Sequence, residues 1–282
     1  MNAEHEHCAG LVRAGSRDRY LAALLAPAKA RDHLMALYAL DVELAEIREK
    51  ITEPLAGEIR LQWWRDAIAA LYRGAAGEGR GHPVVRALAP AIEAGRLPQP
   101  AFEQLIDTRQ FDVHQDKTLS FGELEAYLGA TEGAVFQLVC LILSGGENLG
   151  SGTAAGHAGM ATGLAFLLRA LPRHAARGKL YLPADLLARH GASDEELFQG
   201  RMSPELAAAL EEVRGIARQH LAAARGEAGK LPRVLRPAFA PAALVPAYLR
   251  ASERVNDPLH EVVDIHPLTR VWRIWRAARW GL

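Results

Sequence analysis

Between residues 30 and 50, Leu34, Leu37, Tyr38, Asp41, Leu44, Ala45 and Arg48 recur at steps of three and four. Residues so spaced share one face of an α-helix, and no strand has this period. The face carries Asp41, and Glu49 extends it. A carboxylate on a core-facing stripe is costly unless a cation or a polar cavity meets it. Two readings compete here: a helix that lines a functional cavity, or one whose acidic end reaches solvent. Residues 52–57 read as a Pro/Gly turn, and a further helix is expected over 58–73. Its adjacent Trp63 and Trp64 point about 100° apart, so both are buried only under broad cover.

The rest of the chain repeats the helical theme. Alanine, leucine and arginine are abundant and alternating β-branched runs are scarce, which predicts an all-α domain over residues 1–282 of roughly a dozen helices. Residues 1–15 are expected to be a flexible N-terminus. Ser120 with Glu123, and Ser193 with Glu196, have the spacing of capping boxes. Residues 133–143 are apolar all round and belong in the core. A helix over 152–171 has a small-residue side (Ala154, Ala155, Ala158, Gly159, Thr162, Gly163) that admits another helix or a long ligand, and Pro172 is expected to end it.

Composition excludes several classes. The formal net charge is zero, which gives no electrostatic case for nucleic acid. Two cysteines, Cys8 and Cys140, are too few for a disulfide framework or a zinc site and suit a reducing cytoplasm. No uninterrupted run of eighteen apolar residues is present, so no membrane-spanning helix is read. Residues 109–116 bring Arg109, Asp112, His114 and Asp116 to a helix end, as a solvated group or a metal site. Arg169, Arg173, Arg177 and Lys179 crowd another helix end, where cations complement the macrodipole or form an anion site. The C-terminal helix, 269–282, has four arginines, Trp272, Trp275 and Trp280, and no acid. It packs on the domain or lies on a membrane surface.

Residues 36–68, ALYALDVELAEIREKITEPLAGEIRLQWWRDAI, followed by GLAFLLRALPRHAARGKLYLP over 163–183, resemble the squalene/phytoene synthase family. The resemblance implies the isoprenoid synthase fold, with helices around a central cavity. In the family enzymes two acidic motifs on facing helices bind magnesium ions, and these hold prenyl diphosphates. Metal-held carboxylates suit that chemistry, because they stabilise the charge developing as the carbon–oxygen bond breaks.

Laid on this chain, the first motif (D-D-x-x-D) falls on residues 45–49, with Ala45 at its leading position, then Glu46, and Glu49 at its end. The second (N-x-x-R-D-x-x-x-D) falls on 166–174. Phe166 stands for Asn, Arg169 matches, and Ala170 and His174 stand for the two Asp residues. The second arm has lost its carboxylates. These departures, with LRALPRHAARGKLYLP and the late His-Pro before a Trp-bearing helix, resemble the branch of the family that contains a mitochondrial complex I assembly factor.

That branch implies a non-catalytic, membrane-associated role in a bacterial chain, cytoplasmic or peripheral on the inner membrane. Complex I subunits and a prenyl or quinone-like lipid are the expected partners. The alternative is a head-to-head prenyltransferase acting on farnesyl or geranylgeranyl diphosphate, which needs Mg2+. No cofactor is otherwise expected. The cavity candidates are Tyr38, Asp41, Glu46, Glu49, Phe166, Arg169, His174, Arg177 and Lys179, with Glu46 and Glu49 as weak metal ligands. Asp41, Glu46 and Glu49 are expected to pair with the arginines of the facing 161–183 segment.

Overall fold

The computed structural model describes residues 3–50, 53–74, 79, 81–114, 119–178, 181–255 and 257–282, with Arg48 and Glu49 described by their backbone alone. The helices, in order, are α1 (Ala3–Gly15), α2 (Arg17–Leu25), α3 (Ala28–Lys50), α4 (Pro54–Tyr72), α5 (Pro83–Gly95), α6 (Gln99–Thr108), α7 (Gln110–His114) and α8 (Phe121–Leu128). They continue as α9 (Ala134–Ser144), α10 (Gly152–Ala176), α11 (Ala184–Arg189), α12 (Asp194–Phe198), α13 (Pro204–Ala228), α14 (Arg236–Phe239), α15 (Val245–Arg254) and α16 (Pro267–Trp280). Among the described residues there is no strand.

One apolar core runs from Cys8 of α1 to Ala277 of α16. From Ala3 onward the N-terminal segment is helical: α1 packs on α3 and α5 and buries Cys8 and Val12. Both expected capping boxes are present, at the starts of α8 and α12. Trp64 is fully buried and Trp63 partly so, the two rings meeting edge to face at 4.9 Å.

A π-helical turn, Gly129–Gly133, joins α8 to α9 without a break. The resulting run, Phe121–Ser144, is long and apolar enough to cross a membrane by length and composition. This was not expected from uninterrupted apolar runs alone. Most of its apolar window, 61%, is buried inside the protein, as befits a core helix.

The small-residue side of α10 admits a helix. A Cβ on Gly159 would meet Gly133 N at 2.4 Å, and one on Gly163 would meet Leu128 at 2.5 Å. Helix α10 thus crosses the π-turn with backbone nearly on backbone. Its far face packs along α13, where His157 and His220 bring Nδ1 atoms to 3.1 Å. Pro172 does not end α10, which continues one turn to Ala176. Proline removes one backbone hydrogen bond, but Leu171, Pro172 and His174 are all buried there. Tertiary packing outweighs the local preference.

Candidate functional site

Helix α3 carries the first motif, and its acids find protein cations. Asp41 is buried. One carboxylate oxygen accepts from Arg19 of α2 and the other from Arg109, which follows α6, at 3.2 Å. The facing segment supplies neither arginine, contrary to expectation. Burial alone raises the Asp41 carboxyl pKa, but Arg19 and Arg109 together outweigh it and hold the group below the usual carboxylate range.

The network extends from both arginines. Arg19 also donates to Glu132 of the π-turn at 2.8 Å, and its guanidinium sits 5.5 Å from the Tyr38 ring centroid. Burial raises the Tyr38 hydroxyl pKa, so the phenol stays protonated. Arg109 donates to Asp112 at 3.3 Å and to the Tyr127 hydroxyl at 3.0 Å. The Tyr127 and Tyr181 hydroxyls both donate to Asp112, at 2.8 and 3.1 Å. Tyr181 lies in the YLP segment after α10, and the His174 ring stands 4.7 Å from it, centroid to centroid.

The first motif helix is therefore joined to the last position of the second motif through Asp41, Arg109, Asp112, Tyr181 and His174. All five side chains are buried. Arg109 and Asp112 are not a solvated helix end. His114 is the exposed member of that group, pairing with Glu58 at 2.8 Å, and Asp116 lies outside the described residues.

The remaining candidates diverge. Glu46 pairs with Lys50 one turn along its own helix. The Glu49 side chain and Lys179 lie outside the described residues. Phe166 is 42% exposed while Ala170, one turn on, is buried. Arg177 is exposed at the end of α10.

Arg169 belongs to a second network. Its guanidinium stacks 3.9 Å from the Tyr248 ring centroid, lies 3.7 Å from Asp264 and 4.0 Å from Asp18, and donates to the Val263 carbonyl at 3.3 Å. Arg270 of α16 donates to Asp18 at 2.8 Å and to Asp264 at 2.5 Å. Asp18 also accepts from Tyr248 at 2.7 Å. The arginine that matches the motif here ties α10 to α2, α15 and the approach to α16.

The residues of the second arm do not fit a magnesium–diphosphate clamp. The second arm offers an aromatic ring, a methyl group and an imidazole where hard oxygen donors belong. Of the first arm, the described Glu46 carboxylate is engaged by lysine. Among the described residues, no group of three or more His, Cys, Asp or Glu side chains is placed to hold a metal ion. Sequence reasoning missed Arg19, Arg109, Asp112, Tyr127 and Glu132 as members of the central network. The one available signal was Asp41 itself, an acid on a core stripe in need of a cation.

The architecture is that of the isoprenoid synthases, with a buried ion-pair network linking the two segments that carry the motifs. The chain belongs to the squalene/phytoene synthase family, whose profile matches residues 12–273. It is 29% identical over 277 residues to a mouse (Mus musculus) protein named NADH dehydrogenase (ubiquinone) complex I, assembly factor 6, covering 96% of this chain and 82% of that one. It is also 30% identical to a phytoene synthase of Thermus thermophilus, over 74% of this chain and 69% of that one. Among solved structures, squalene synthase HpnC from Alicyclobacillus acidocaldarius superposes with a TM-score of 0.77 at 20% identity, over 89% of this chain and 93% of that one. A dehydrosqualene synthase in complex with ligand reaches 0.80 at 17% identity, over 97% and 95%.

Proposed function

We propose that this chain is a non-catalytic member of the family, acting as a membrane-associated assembly or lipid-binding factor. The observation that carries the reading is the replacement of the acid clamp. Phe166, Ala170 and His174 occupy the second motif, and Asp41 beside the first is matched by Arg19 and Arg109. A prenyl diphosphate needs its negative charge answered as the bond breaks. Here the second arm has lost the oxygens that hold the metal, and the central arginines are already occupied by protein carboxylates.

The similarity to complex I assembly factor 6 across nearly the whole chain supports subunits of a respiratory complex I as partners. A prenyl or quinone-like lipid is the proposed small ligand. The proposed location is the cytoplasmic face of the inner membrane. Deleting the gene in the host organism and measuring assembled complex I tests this directly. Assembled complex falls, and expression of the chain restores it. Unchanged complex I with loss of an isoprenoid product contradicts the reading.

The second reading, a prenyltransferase that joins two prenyl diphosphates with Mg2+, is favoured by the similarity to the Thermus phytoene synthase. It requires a metal-binding arm that residues 166–174 do not supply.

A further inference from the structure

Helix α16 is apolar on two faces. Arg270, Ile274 and Ala277 are buried against the body of the protein, and Arg270 is neutralised there by Asp18 and Asp264. On the opposite side Leu268, Val271, Trp272 and Trp275 follow the i, i+3, i+4, i+7 spacing of a single helix face and are 73, 48, 55 and 45% exposed. Trp280, 60% exposed, meets Trp275 edge to face at 4.8 Å. A contiguous exposed apolar face of this kind marks a surface that meets a partner or a membrane.

Its charge says what covers it. The chain is neutral overall, but residues 269–282 contain arginine and no acid. Arg276 lies 5.5 Å from the Trp272 ring centroid. Among the described residues no carboxylate forms an ion pair with Arg273, Arg276 or Arg279, and the pairs formed by this helix all belong to Arg270. The Arg273 guanidinium pKa is lowered, first by burial and then by Arg250, Arg276 and Arg225 around it. Positive charge has therefore gathered here without compensation. An amphipathic ring prefers the boundary between headgroup and acyl chain, and arginine prefers the phosphate above it.

We propose that the outward face of α16 seats the chain on an anionic membrane surface, with Trp272, Trp275 and Trp280 at headgroup depth and Arg276 and Arg279 against lipid phosphates. This locates the membrane association of the proposed function, and rests on that reading.

Co-sedimentation of the full chain with phosphatidylcholine vesicles, with and without phosphatidylglycerol, tests it. Binding requires the anionic lipid and weakens with added salt. W272S/W275S binds about tenfold more weakly or worse, and R276E/R279E does likewise. Both variants melt with the wild type, since the substituted residues are exposed or partly so. As an independent readout, wild-type tryptophan emission shifts to the blue on anionic vesicles and is quenched by brominated acyl chains. Variants that bind as tightly as wild type overturn the assignment to α16 but leave membrane association standing. A wild type that binds neither vesicle overturns both. A concentration-dependent dimer abolished by W272S/W275S, without vesicle binding, gives the face to a second copy and also overturns the proposal.

Discussion

The molecule handles arginine in two opposite ways. Around Asp41, the buried Arg109 and the half-buried Arg19 meet three carboxylates, Asp41, Asp112 and Glu132. On α16, Arg276 sits beside Trp272, and neither Arg276 nor Arg279 has a carboxylate in ion-pair range among the described residues. Inside, both arginines are answered by carboxylates of the chain itself. On the surface of α16 the answering charge is, on our proposal, a lipid phosphate.

The contrast breaks most readily at Arg109. Arg109→Ala leaves Asp41 with Arg19 alone and Asp112 with only the Tyr127 and Tyr181 hydroxyls, and the loss expected for breaking a buried pair is about 3–5 kcal/mol, measured by urea unfolding. Trp64→Ala, at a fully buried ring, costs a similar amount, about 3–5 kcal/mol. An intermediate effect is expected at Gly159→Ala. Its Cβ would meet the Gly133 backbone, prying the π-turn and Glu132 away from Arg19, with overpacking of this sort costing about 1–3 kcal/mol in a thermal melt. The smallest effects fall on the outer face, where Trp272→Ser and Arg279→Ala change stability by about 0.5 kcal/mol or less. A Trp272→Ser variant as unstable as Trp64→Ala erases the distinction between the two regions.

The backbone pattern of the acid-bearing helix was legible. Steps of three and four between residues 30 and 50 predicted α3, and they singled out Asp41 as an anomaly. The answer to that anomaly was not legible. Arg19 lies 22 residues before Asp41 and Arg109 lies 68 after it, and a pair formed across helices leaves no local period. The π-turn was hidden for a similar reason: nothing local to Gly129–Gly133 marks it until Gly159 is set against it. Pro172 misled because its local preference is real but weaker than the burial of its neighbours. Helix α1 was not legible, because Cys8 and Val12 are sparse signals that matter only once α3 and α5 are beside them. The motif positions in 166–174 were readable residue by residue. That Arg169 serves a network reaching α16 was not.

Acidity sharpens the comparison further. Burial lowers the pKa of His33, His82 and His220, with His157 adding to the effect at His220. A base whose folded pKa lies below its unfolded value of 6.5 binds fewer protons folded than unfolded. Its stability contribution is present above 6.5 and is lost as pH falls through the lower folded value. Asp41, depressed by its arginines, keeps its contribution above the ordinary carboxylate value of 3.8 and loses it only in stronger acid. Urea midpoints measured against pH therefore fall first below 6.5 and again below 3.8. His220→Gln flattens part of the first fall and leaves the second.

The central claim is that the interior network has replaced the metal clamp. Incubating purified protein with magnesium and radiolabelled farnesyl or geranylgeranyl diphosphate, and following diphosphate release, tests this most directly. Release at the level of a protein-free blank is expected, unchanged by Glu46→Ala or Glu49→Ala. Release above the blank that either substitution abolishes would show that the first arm still holds metal, and would contradict the account.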